Sequence, residues 1–176
     1  MAKLTGISAT TPNRLLFGAG TLSVGGTSVG ATTGETAFTV EKDLYFPELN
    51  GAAGKVKGTG WCVSERAILK VTVSEFTMFN LGAALPGLQW SSNATPEATV
   101  ASSVGCIDST EYVAVVWTGQ DCDGDNVTLT FSQAIMIENL DVSFSDSEEA
   151  KFDLTFEATY TTADPDARPW TLVIEI

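Results

Sequence analysis

The run Phe152-Asp153-Leu154-Thr155-Phe156-Glu157-Ala158-Thr159-Tyr160 constrains the fold more than any other stretch of this chain. Phe152, Leu154, Phe156, Ala158 and Tyr160 fall on one side and Asp153, Thr155, Glu157 and Thr159 on the other, the period-2 pattern of a half-buried antiparallel strand. Pro165 and Pro169 interrupt the following turn, after which Thr171-Leu172-Val173-Ile174 reads as a terminal strand. Residues 61–73 repeat the pattern at greater length. Ala67, Leu69, Val71 and Val73 share one face, and Ser64, Arg66, Lys70 and Thr72 the other, with Ile68 interrupting the polar set.

Shorter segments complete the pattern. Leu15, Leu16, Phe17, Leu22 and Val24, broken by Gly18 and Gly20, indicate a first strand with a bend, followed by a loop through Gly25, Gly26, Gly30 and Gly34. Phe38, Val40, Leu44 and Phe46 form the apolar side of a second strand whose other side carries Thr39, Glu41 and Asp43, and Gly51 to Gly60 reads as a turn or loop. Phe76, Phe79 and Ala83 stand at helical spacing, with Ser74 or Thr77 as N-cap and Pro86-Gly87 as the stop. Residues 88–109 are rich in Ser, Thr and Ala and read as a long loop. Tyr112–Trp117 and Val127–Phe131 flank an acidic turn as a hairpin, and a further strand is expected near Ile135–Leu140. Many short strands with one helix predict a mainly β fold, an antiparallel β-sandwich or partial barrel with one short α-helix and long loops. At 176 residues the chain is expected to be a single domain spanning 1–176.

Charge is distributed unevenly. Residues 1–88 hold six acids and seven bases, and residues 89–176 hold sixteen acids and two bases, so nearly all of the net −13 lies in the second half. Such a chain repels phosphates on average, and tight DNA binding is not expected. In a self-assembling subunit the asymmetry can give a contact direction, by setting the bases of one copy against the acids of the next. No long apolar run suggests a membrane-spanning helix, and Met1–Gly6 lacks the apolar core of a secretory signal, so the chain is expected to be made and kept in the cytoplasm.

Chemistry-bearing motifs are few. With no histidine, the usual general base and the Ser-His and Cys-His pairs are absent, and no enzymatic activity is expected. Cys62, Cys106 and Cys122 have no metal-ligand spacing and read as free thiols. Asp121-Cys122-Asp123-Gly124-Asp125-Asn126 clusters carboxylates, but its glycine comes at the fourth position and Ser132 stands where an EF-hand needs a bidentate Glu. A turn chosen for Asp and Gly backbone preferences accounts for it better, and neither metal nor cofactor is expected. Gly18-Ala19-Gly20 lacks the third glycine of a dinucleotide fingerprint. Asn93-Ala94-Thr95 and Asn126-Val127-Thr128 match a glycosylation sequon that has meaning only in a secretory compartment. Trp61, Trp90, Trp117 and Trp170 could line a sugar-binding platform, although core and interface packing is the commoner use of such residues.

Several stretches occur in an order that resembles bacteriophage major tail tube proteins of long-tailed, siphophage type. These are Gly30-Ala31-Thr32-Thr33-Gly34 leading into Phe38-Thr39-Val40-Glu41, then Gly51-Ala52-Ala53-Gly54-Lys55-Val56-Lys57-Gly58, then Leu81-Gly82-Ala83-Ala84-Leu85-Pro86-Gly87. The last is the acidic strand from Glu149 to Tyr160 followed by Ala163-Asp164-Pro165-Asp166 and Pro169-Trp170. The likeness touches most of the chain except residues 88–109. It implies a virion structural protein with an N-terminal arm, extended inter-subunit loops and a C-terminal strand, forming hexameric rings that stack into a non-contractile tail tube. The implied partners are further copies of the chain, the tape measure protein, the tail terminator and distal tail proteins, and DNA in transit without specific binding, with no membrane involved. Glu41 and Asp43, or Asp153 and Glu157, are then the candidates for the lumen, and Lys55, Lys57 and Trp90 for contacts between subunits. A monomeric carbohydrate-binding or adhesive β-sandwich is the alternative.

Overall fold

The computed structural model describes residues 16–86, 105–121, 124–142 and 149–175. They form β1 (Leu16–Val24), β2 (Thr27–Ser28), β3 (Thr32–Tyr45), β4 (Trp61–Val73), α1 (Met78–Ala84), β5 (Val113–Asp121), β6 (Asn126–Met136), β7 (Phe152–Ala158) and β8 (Trp170–Ile174). The strands are hydrogen-bonded in the order β2-β1-β5-β6-β7-β4-β3, with β8 beside β6, and the paired strands are antiparallel. The expected mainly β, antiparallel architecture is therefore what the chain adopts, as an open sheet that does not close into a barrel.

The sheet divides at β6. On one side β6 pairs with β5, from Val113↔Ala134 to Gln120↔Asn126. On its other side, Val127–Phe131 pairs with β8 and Ala134–Met136 with β7. The junction is filled by Ser132, whose amide donates to Pro169 O at 3.1 Å, and by Thr159, whose amide donates to Gln133 O at 2.8 Å. β7 and β8, which follow one another in sequence, thus pair not with each other but with different segments of β6. The two parts of the sheet face each other where the Phe38 ring of β3 meets Phe131 of β6 at 6.1 Å and Trp170 of β8 at 5.2 Å, centroid to centroid. The core follows the alternation of β4 and β7: Leu69, Val71, Val73, Leu154 and Phe156 are buried, each contributing roughly 1.5–3 kcal/mol.

The helix starts at the second of the two N-caps the sequence offers, with the Thr77 hydroxyl accepting from the Asn80 amide at 3.1 Å. Phe76, expected on the helix face, precedes it, is exposed, and packs edge-on against Phe152. Further expectations are corrected. The glycine-rich stretch from Gly25 to Gly34 is not a loop throughout but contains β2 and the start of β3. It is held to the α1 segment: buried Asn80 donates from Nδ2 to Val29 O and Glu75 O, both at 2.8 Å, and the Ala31 amide donates to Glu75 Oε1 at 2.9 Å. Leu44 is 53% exposed, because a bulge between the Asp43↔Ser64 and Leu44↔Cys62 pairs carries the hairpin end out of register with the core. The strand expected at Ile135–Leu140 is instead the end of β6, which stops at Met136 where its β7 pairing stops. Thr155, on the polar side of β7, is buried, and its hydroxyl is satisfied by donating to Glu138 Oε2 at 2.7 Å. Trp90, Cys122, Asp123, Asn93 and residues 88–104 lie outside the described residues.

Candidate functional site

β3, β4 and β7 are consecutive in the sheet, and their register decides a question the sequence leaves open. Glu41 pairs with Arg66 and Asp43 with Ser64, while Ile68 pairs with Glu157 and Thr72 with Asp153. Directly paired residues share a face. The two alternative sets of acids, Glu41 with Asp43 and Asp153 with Glu157, therefore stand on one and the same outward face.

That face is an ion-pair lattice. Arg66 makes a bidentate pair with Glu157, Nε to Oε1 at 3.0 Å and Nη2 to Oε2 at 2.7 Å, and also reaches Glu41 Oε2 at 3.5 Å. Lys70 sits between Asp153 Oδ2 at 2.9 Å and Glu138 Oε2 at 3.8 Å. The Thr72 hydroxyl donates to Asp153 Oδ1 at 2.6 Å, and this bond, followed by the Lys70 ammonium, holds the Asp153 carboxyl below the usual range. The Glu157 carboxylate raises the pKa of Arg66, and Asp153 that of Lys70. Each cation is shared by two carboxylates, so neither offers an unpaired positive charge to an incoming anion. Five acids (Glu41, Asp43, Glu138, Asp153, Glu157) against two bases (Arg66, Lys70) leave the face negative.

A second node lies at Glu65, whose side chain is only 10% exposed. Its carboxylate accepts from Lys42 Nζ at 2.9 Å, Trp170 Nε1 at 2.9 Å and Arg168 Nε at 3.1 Å. The Lys42 bond, then those from Trp170 and Arg168, outweigh partial burial and hold its pKa down. The Tyr160 hydroxyl also donates to Glu65 O at 3.3 Å. This clasp fastens the turn from Tyr160 to Trp170, and with it the base of β8, to the β3–β4 hairpin.

Beyond the clasp the hairpin is uncovered. β7 pairs with β4 only from Ile68 to Val73, so the edge of residues 61–67 is unpaired among the described residues. Trp61 is 72% exposed beside its partner Tyr45, and Val63 is exposed as well. In the loop between the strands Lys55 Nζ lies 4.6 Å from the Phe46 ring centroid, a cation–π contact, and Lys57 is exposed. Of the tryptophans, Trp117 is buried in the core and Trp170 is half-buried on the clasp, so Trp61 and Trp117 and Trp170 form no common platform. β8 is the other uncovered element: Leu172, Val173 and Ile174 are 44%, 54% and 58% exposed.

Among the described residues no group of three or more Cys, Asp or Glu gathers in a way that could hold a metal ion, and no helix is long and apolar enough to cross a membrane. A cleft of about 240 Å³ between α1, the β1–β2 turn and the start of β5 is lined by apolar residues such as Phe79, Met136 and Phe156, with Glu111 its one carboxylate. It offers no acid–base pair. Sequence reasoning named four acids of the outer face but missed Arg66 and Lys70 as their partners, Glu138 as the fifth acid, and Glu65. The signal for the first two was present in the alternation of β4; Glu138 and Glu65 gave none, because their contacts depend on chain folding. Compared with known protein families and with curated proteins, the chain matches none.

Proposed function

We propose that the protein is a structural, self-assembling subunit of a phage tail tube, whose rings stack around the tape measure protein and pass DNA without binding it. The observation that carries this reading is an open sheet with its long hairpin and terminal strand uncovered. Exposed strand edges and apolar side chains are stabilised when neighbouring copies complete them. The ordered resemblance to major tail tube proteins supports the same reading and supplies the hexameric ring, the tail terminator and distal tail partners, and the virion tail as location. The outer face of β3, β4 and β7 has the chemistry a lumen needs: it is net negative, and both of its cations are occupied. Glu41, Asp43, Asp153 and Glu157 are then lumen residues together.

Negative-stain electron microscopy of the concentrated protein, beside its mass by light scattering, tests the proposal. Rings or hollow tubes are expected. A particle that keeps the mass of one chain at every concentration, and after mixing with other tail proteins, rejects it. The exposed Tyr45–Trp61 pair favours a second reading, since two adjacent aromatic faces can stack on a sugar ring. Glycan binding by a persistent monomer, abolished by Trp61→Ala, distinguishes that module from a tube subunit.

A further inference from the structure

We infer that the hairpin end of one copy seats on β8 of another, so that two different surfaces of the same chain form the assembly contact. This rests on the self-assembly reading above and names the surfaces that carry it. The hairpin end is apolar and basic: Tyr45, Trp61 and Val63 are exposed, and the loop between the strands, residues 46–60, carries Lys55 and Lys57 against the single acid Glu48. Phe46 holds the Lys55 ammonium in place. β8 is apolar and acidic. Leu172 and Ile174 point to one side and Val173, beside Thr171, to the other, so the strand exposes apolar side chains on both faces, and its edge away from β6 is unpaired among the described residues. The turn leading into it exposes Asp164 and Asp166, while Arg168 and Lys42, the bases of the clasp, are committed to Glu65.

An unpaired edge strand with apolar side chains exposed on both faces invites association with any other chain, and proteins normally blunt such edges. Here the complementary charge selects the occupant: the acidic turn repels another β8 and attracts the lysine-bearing hairpin. Because donor and acceptor are different surfaces, the contact is heterologous and propagates from copy to copy, closing into a ring or continuing as a filament according to the angle between the two surfaces. The Glu65 clasp sets that angle, since it fastens the base of β8 to the hairpin of the same copy.

Charge exchange tests the contact. One variant carries Lys55→Glu and Lys57→Glu, the other Asp164→Lys and Asp166→Lys; all four positions are exposed, and near-ultraviolet circular dichroism checks that each variant is folded. The wild-type chain is expected to assemble by light scattering. Each variant alone should need at least about tenfold more protein for half-assembly, because like charges then face each other. An equimolar mixture should regain wild-type assembly, since the acidic hairpin of one variant meets the basic turn of the other. Wild-type assembly together with unimpaired variants, or impaired variants that the mixture does not restore, overturns the docking and leaves the self-assembly reading standing. A wild-type chain that never assembles, alone or after mixing with other tail proteins, overturns both.

Discussion

Replacing Phe131 with alanine should be the most damaging single truncation for the relation between hairpin and terminal strand. Phe131 is fully buried, lies between Val115 of β5 and Trp170 of β8, and meets the Phe38 ring of β3. Removing the ring forfeits about 2 kcal/mol of transfer free energy. A residual cavity adds about 2 kcal/mol, because strands fixed on both sides cannot collapse into the space. The lost aromatic pair contributes about 0.5–1 kcal/mol more, for a total of about 4–5 kcal/mol, at the upper end of Phe→Ala costs. Urea unfolding followed by tryptophan fluorescence reads this directly, since Trp117 and Trp170 lie on the flanking strands. With a denaturant slope of about 2 kcal/mol per molar, the midpoint should fall by about 2 M. Leu172→Ala, at an exposed position of β8, should change stability of the isolated subunit by less than about 0.5 kcal/mol. A midpoint shift under about 0.5 M for Phe131→Ala, or equal shifts for the two variants, would refute the packing of the two parts of the sheet across Phe38, Phe131 and Trp170.

Acid should destabilise the subunit through Glu65 and Asp153. Both carboxyls have folded pKa values below their unfolded ones, so the stability they contribute is present above about pH 4.5 and lost as pH falls through the folded values. Thermal midpoints measured between about pH 7 and 2.5 should fall less steeply for Glu65→Gln than for the wild-type chain, and parallel slopes would remove Glu65 from this role. Gly20 has φ +68° and sits where a Cβ would meet the Trp117 indole and, at 2.7 Å, Thr118 O. Gly20→Ala should therefore cost the left-handed penalty of about 1–2 kcal/mol plus an overpacking cost of about 1–3 kcal/mol. Gly26→Ala, at φ +81° in open space, should cost only the backbone part, and equal losses of thermal stability in the two variants would contradict the close approach at Trp117.

Local chemistry was enough to read β4, β7, the β5–β6 hairpin and a helix capped at Ser74 or Thr77 from the amino-acid sequence, because alternation and capping act between residues a few positions apart; the structure selects Thr77. The same alternation identified Glu41, Asp43, Asp153 and Glu157 as outward residues. That these two pairs share one face was decided only when β4 came to lie between β3 and β7, since strand order is set by which apolar faces bury together and leaves no local trace. The division of β6 between β7 and β8 is of the same kind, and it moved the terminal strand away from the one that precedes it. Glu65 shows the limit most plainly: in sequence it is one polar residue in an alternating strand, and its three partners at positions 42, 168 and 170 become neighbours only through the tertiary fold.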